Sequence, residues 1–191
     1  MGLAGQQGAG KDYTFEWMRD WGAPSGFIVA RAAFADGVRR EVAIEIVTAL
    51  GFETKDTDGM GTWRKLYTAG QRFLLQQYGT EFRRAQDADY WVSAGMRFME
   101  ESTIKPDLWV VTDMRFENEA QAIANAGGIT AEVTADPETR GRRLGITAEQ
   151  VAQQQKHASE VIDFPTHYQI GCDQDGHAPY FPSALWKWLG L

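Results

Sequence analysis

The sequence predicts an α/β fold, a central and mostly parallel sheet flanked by helices. Three observations predict it. Short apolar runs alternate with segments of helical periodicity along the whole chain. The clearest run, Leu108 to Thr112 (Leu-Trp-Val-Val-Thr), is almost continuously apolar and partly β-branched, as a strand covered on both faces must be. A glycine-rich loop opens directly into the first helical segment, as in a strand–loop–helix unit. With 191 residues, 43% hydrophobic and 24% charged, the chain supports one domain with a core of ordinary size.

The elements follow in order. Asp12 to Trp21 reads as a helix and Gly26 to Ala30 as a strand. Gly37 to Leu50 has Val38, Val42, Ile46 and Leu50 at helical spacing, with Gly51 as its C-cap. Thr54 to Thr62 is polar and glycine-bearing, a loop. Trp63 to Tyr78 and Tyr90 to Glu101 read as helices, and Leu108 to Thr112 as a strand. Phe116 to Ala126 is helical and stops at Gly127-Gly128; Ile129 to Thr134 is the next strand. Pro137 to Gly145 reads as a basic, exposed segment. Thr147 to Lys156 is helical, with Thr147 and Gln150 in capping-box positions. His167 to Cys172 is a last strand and Ser183 to Leu189 a closing helix.

The glycine-rich loop is Gly5-Gln6-Gln7-Gly8-Ala9-Gly10-Lys11-Asp12. Its spacing fits the phosphate-cradling P-loop at every template position but the last, where Asp12 replaces Ser or Thr. Glycines let a backbone wrap an anion and present its N–H groups. The helix that follows points its positive end at the phosphates, and Lys11 adds a mobile cation. The plain alternative is a glycine-rich turn. Only Met1 to Ala4 precede the loop, so its strand is very short or starts upstream.

A second signal is Asp113-Met114-Arg115-Phe116-Glu117-Asn118-Glu119, directly after the best strand. An acidic residue at the carboxyl end of a parallel strand faces the ligand crevice of an open sheet. In P-loop enzymes that carboxylate helps hold Mg²⁺. Capping of the next helix would also explain Asp113, but not Arg115 beside it.

These segments, with Phe34-Ala35-Asp36, Leu75-Gln76-Gln77-Tyr78-Gly79-Thr80-Glu81, Asp89-Tyr90-Trp91-Val92 and Ser159-Glu160, occur in an order that resembles the bacteriophage deoxynucleoside monophosphate kinases. The resemblance runs in patches over nearly the whole chain. That family tends to carry Gly-Lys-Asp in its P-loop. The resemblance implies a P-loop kinase fold with a helical substrate-binding insertion (about residues 37–105) and a short lid (about residues 136–157). It implies transfer of the γ-phosphate of ATP to a deoxynucleoside 5′-monophosphate, with Mg²⁺, often by a homodimer. Gly5, Gly8, Ala9, Gly10, Lys11, Asp12 and Tyr13 would line the ATP phosphates. Asp113 and Asp12 would serve the metal, and Arg115 the transferring phosphate. Phe34, Asp36, Arg72, Gln76, Thr80, Trp91 and Glu160 would belong to the monophosphate side. The chain departs from the family at Tyr13, where a Thr is usual. A phenol cannot occupy the space of that hydroxyl, and Thr14 is turned by about 100° on a helix.

Phosphoryl transfer needs alignment and neutralised charge more than covalent help. Arg140, Arg142 and Arg143 form the natural lid, or else a solvated basic turn. Arg31, Arg64, Arg72, Arg83 and Arg84 are candidate cations for the monophosphate, and Phe34, Tyr78 and Trp91 candidate surfaces for its base. Two other function classes stay open: a P-loop kinase with another acceptor, such as a small metabolite or a modified base in DNA, and a nucleotide-binding protein without catalysis.

Composition narrows partners. A net charge of −7 argues against stable nucleic-acid binding. No apolar run approaches the roughly 20 residues of a membrane span. Cys172 is alone and no signal peptide is evident, so a reducing cytoplasm is expected, that of the host cell if the chain is phage-encoded. His157, His167 and His177 lack metal-ligand spacing. Seven Trp point to core or interface packing.

Overall fold

The computed structural model describes residues 1–41, 77–154 and 162–189. Five strands form one sheet: β1 (Gly2–Ala4), β2 (Val29–Ala32), β3 (Leu108–Val111), β4 (Thr130–Thr134) and β5 (Tyr168–Gly171). Their spatial order is β2-β3-β1-β4-β5 and every pairing is parallel. The helices are α1 (Lys11–Gly22), α2 (Tyr90–Glu101), α3 (Glu117–Asn125), α4 (Pro137–Leu144), α5 (Ala148–Gln154) and α6 (Ser183–Trp188). Residues 35–41 are also helical, and Gln77–Arg84 forms a π-helix. The expected α/β architecture is thus present.

The central strand has only three residues, yet it is wholly buried because β3 and β4 flank it and both its faces are covered. Leu3 lies in a cluster with Val110, Ala131, Val133 and Ile170 from neighbouring strands, Phe15 and Met18 from α1, and Leu185 from α6. Ile123 of α3 and Met114 close over the other face at Gly2. Side chains alternate across a strand, so adjacent residues Gly2 and Leu3 serve opposite layers. Each fully buried Leu, Ile or Val contributes about 1.5–3 kcal/mol, so this two-sided burial outweighs the strand's brevity.

Local chemistry sets the helix ends. Gly127 stops α3 at a φ of 76°, and the N–H of Gly128 returns to the Ile123 carbonyl at 2.9 Å. Asp136 caps α4 by accepting from the Thr139 N–H at 2.8 Å, with Pro137 at the first helical position. Thr147 and Gln150 exchange their capping-box bonds at 2.9 and 3.3 Å.

Two expected elements differ. The strand expected at Gly26 to Ala30 begins at Val29 instead. The turn after α1 consumes Gly26 and Phe27, whose N–H groups bond back to Ala23 and Gly22. Pairing with β3 then runs to Ala32 opposite Val111. The basic segment expected to be exposed at Pro137 to Gly145 is helix α4, and Thr139, Arg140 and Gly141 within it are buried. Most of the helices expected at Gly37 to Leu50 and Trp63 to Tyr78, and the loop expected at Thr54 to Thr62, lie outside the described residues.

The chain divides into two compact units, Met1–Ala32 with Glu101–Leu191, and Ala33–Glu100. The first holds the sheet. In the second, Phe34 packs against Gly95, Val38 against Gly79, and the Trp91 indole donates to the Gly79 carbonyl at 2.9 Å.

Candidate functional site

The strand order places a switch point at the centre of the sheet. The chain leaves β1 for β2 on one side and leaves β3 for β4 on the other, although β1 and β3 are neighbours. Right-handed crossovers in opposite directions put α1 and α3 on opposite faces, and a crevice opens at the carboxyl ends between them. The glycine-rich loop and the Asp113 turn both lie there, on strands about 4.8 Å apart.

The loop has three glycines with positive φ: Gly5 at 141°, Gly8 at 77° and Gly10 at 104°. A Cβ on Gly5 would stand 2.4 Å from the Val133 carbonyl oxygen, and one on Gly10 would stand 2.6 Å from Cys172 Sγ. Conformation and space therefore both require glycine at these two positions. Gly10 precedes α1 with no side-chain cap, so the positive end of this 12-residue helix is left to whatever the loop binds.

Four consecutive loop carbonyls accept hydrogen bonds from cationic side chains. Lys11 Nζ donates to Gly5 at 2.6 Å and Gln6 at 3.0 Å. Arg140 Nε donates to Gln7 at 2.9 Å, and Arg143 Nη1 to Gly8 at 3.0 Å. Arg140 also reaches the Gln6 side-chain carbonyl. Arg143 bonds the Cys172 carbonyl at 2.8 Å and Asp175 at 2.7 Å, while Arg142 pairs with Asp175 at 2.9 Å. The two guanidinium groups hold the Asp175 carboxyl below the usual carboxylate range. Burial pushes the Cys172 thiol up, so it stays neutral.

This arrangement corrects the expected lid. Arg140 is 1% exposed and committed to the loop, because a guanidinium removed from water must find acceptors. Arg143 is likewise bound to the loop. Arg142 is the more exposed of the three and holds Asp175 and Thr139.

At the other side of the crevice, Glu119 is 2% exposed, and its Oε2 accepts the N–H groups of Arg115 at 2.7 Å and Phe116 at 3.1 Å. This shapes the turn that carries Asp113 and Arg115. The sequence motif contains Glu119, but its capping work was missed; the signal was its position three residues into the helix, the reach-back half of a capping box. Thr112 was also missed. Its hydroxyl and that of Thr14 are buried without a hydrogen-bond partner among the described residues, on the two elements that flank the crevice.

Other expected site residues are placed as follows. Tyr13 turns its hydroxyl to the His177 carbonyl at 3.0 Å, so it anchors α1 to the segment after β5 rather than facing phosphate. Asp12 is exposed, with Arg31 3.8 Å away. Asp36 pairs with Arg39. Phe34 and Trp91 are core residues, 3% and 2% exposed, and offer no face on which a base could stack; Gly95 makes room for the first ring and Gly37 for the second. Tyr78 and Tyr90 both donate to Glu41, which Arg83 also contacts at 3.1 Å. Burial raises the Tyr78 phenol and the bond to Glu41 raises that of Tyr90. Arg64, Arg72, Gln76, His157 and Glu160 lie outside the described residues, and so does the side chain of Thr80.

Among the described residues no three acidic, histidine or cysteine side chains converge on a metal site. No helix of the described residues is long and apolar enough to cross a membrane.

No protein-family model matches the chain, and no curated protein matches it. Among solved structures it is similar to the crystal structure of TT1252 from Thermus thermophilus, with a TM-score of 0.52 and 18% identity over 91% of this chain and 88% of that one. At that identity the likeness establishes the fold. The chain is an α/β protein with a five-stranded parallel sheet flanked by helices, an architecture consistent with a P-loop-like fold.

Proposed function

We propose that the chain is an ATP-dependent phosphotransferase, a kinase that moves the γ-phosphate of ATP to a deoxynucleoside 5′-monophosphate. The observation that carries the reading is the loop after β1: three positive-φ glycines, carbonyls turned to cations, and an uncapped helix behind them. Such a backbone suits a polyphosphate. Lys11 would leave the Gly5 and Gln6 carbonyls for the outer phosphates. Asp113 and Asp12 would hold the magnesium, which neutralises developing charge when bound. Arg115 would face the transferring group. The attacking phosphate oxygen is already ionised near neutral pH, so no general base is required. The choice of acceptor rests on the series of motifs that resembles the phage kinases, and a cytoplasmic homodimer belongs to the same reading.

A coupled assay with ATP, Mg²⁺ and each of the four deoxynucleoside monophosphates tests it. Turnover with at least one is expected. Binding of ATP without turnover on any of them would overturn the acceptor and leave a kinase of another substrate or a non-catalytic nucleotide binder.

A further inference from the structure

We infer that Arg140 and Arg143 are positioning residues that hold the phosphate loop in its anion-binding shape from behind, without touching the anion. The inference rests on the phosphate-loop reading above and concerns how that loop is kept open. In a trans peptide the carbonyl and the following N–H point in opposite directions. Arg140 fixes the Gln7 carbonyl toward α4, so the Gly8 N–H turns away from α4. Arg143 fixes the Gly8 carbonyl in the same way, and the Ala9 N–H that follows closes the turn on the Gln6 carbonyl at 3.2 Å. A glycine loop has unusual freedom, and these two bonds remove it before a ligand arrives.

The support for α4 is itself built. Asp136 caps the helix, its own N–H donates to Asp173 at 2.9 Å, and the Thr139 hydroxyl donates to the Asp173 carbonyl at 2.9 Å. Asp175 pairs with Arg142 and Arg143 from the same segment. Gly10 lies against Cys172, where this segment begins. The phosphate loop is thus held between α4 and the residues after β5. A swinging lid would have to break a buried guanidinium from its carbonyl; a buttress keeps it there.

The test uses Arg140→Lys, which keeps the charge but cannot hold two acceptors in a planar fork. Two quantities are measured on folded protein: amide exchange without nucleotide at Ala9, whose N–H the shaped loop holds on the Gln6 carbonyl, and the ATP dissociation constant by calorimetry. Exchange about tenfold faster and ATP binding about tenfold weaker are expected. Weaker binding with unchanged exchange would make the arginine a direct phosphate contact and overturn the inference, as would no change in either. A loss of melting temperature alone, with both quantities intact, would reduce it to a structural residue. Arg143→Lys, at a more open site, repeats the test should Arg140→Lys not fold. Lys11→Ala, measured in parallel, must weaken ATP binding; if it does not, the phosphate-loop reading itself fails.

Discussion

The loop after β1 and the turn after β3 face one crevice and are built with opposite polarity. In the first, carbonyls are occupied by Lys11, Arg140 and Arg143; the fixed Gln7 carbonyl turns the Gly8 N–H away from α4, while the Ala9 N–H closes on the Gln6 carbonyl. In the second, the N–H groups of Arg115 and Phe116 are taken by the Glu119 carboxylate. The first can therefore receive an anion with its main chain. The second has spent these two main-chain donors internally and offers the side chains of Asp113 and Arg115 instead. One backbone is a receptor and the other a mount.

The largest effects should separate these roles. Lys11→Ala is expected to lower kcat/KM on the order of a thousandfold with the fold retained by circular dichroism. Full activity in that variant would break the comparison at its first half. Glu119→Ala should act on stability instead. It removes the carboxylate that two part-buried N–H groups donate to, so about 1–2 kcal/mol of unfolding free energy should be lost in urea titration. Glu119→Gln, which can still accept, should recover much of that. Stability untouched by Glu119→Ala would mean the turn is held by something else.

Smaller effects sharpen the picture. Asp175 has its carboxyl lowered by Arg143 and Arg142, so its tie to α4 is in place above the ordinary Asp range and is lost as pH falls through the lowered value. Protection of the Ala9 amide, bonded to the Gln6 carbonyl, should therefore persist at pH 5 and fall only in more acid solution, as read by amide exchange. Loss already at pH 6 would point to another group. Thr112→Val, which removes a hydroxyl that has no partner among the described residues, should be neutral or stabilising by up to about 1 kcal/mol in thermal melts. A loss of more than that would assign the hydroxyl a bond that this conformation lacks.

Much of this was legible in the sequence because it is local. Gly127-Gly128 stops α3, Thr147 and Gln150 close a capping box, and Leu108 to Thr112 is strand but for its last residue, each set by neighbours within four positions. The phosphate loop was legible for the same reason: its glycines and Lys11 stand in one short run. What failed was long-range. Arg140 looked like a lid because sequence shows its charge and not the Gln7 carbonyl, 133 residues away, that holds it. Trp91 looked like a stacking surface because an aromatic ring reads alike on a surface and in a core; the absent side chain of Gly37 and the Gly79 carbonyl that accepts its indole N–H decide where it goes.

The sequence by itself determined the α/β class, the loop and the acidic turn, since periodicity, glycine placement and caps are properties of adjacent residues. The strand order, the pairing of the two turns across one crevice and the use of each arginine were decided by the tertiary structure. A buried guanidinium must find its acceptors wherever the chain brings them, and that geometry is written in no single segment.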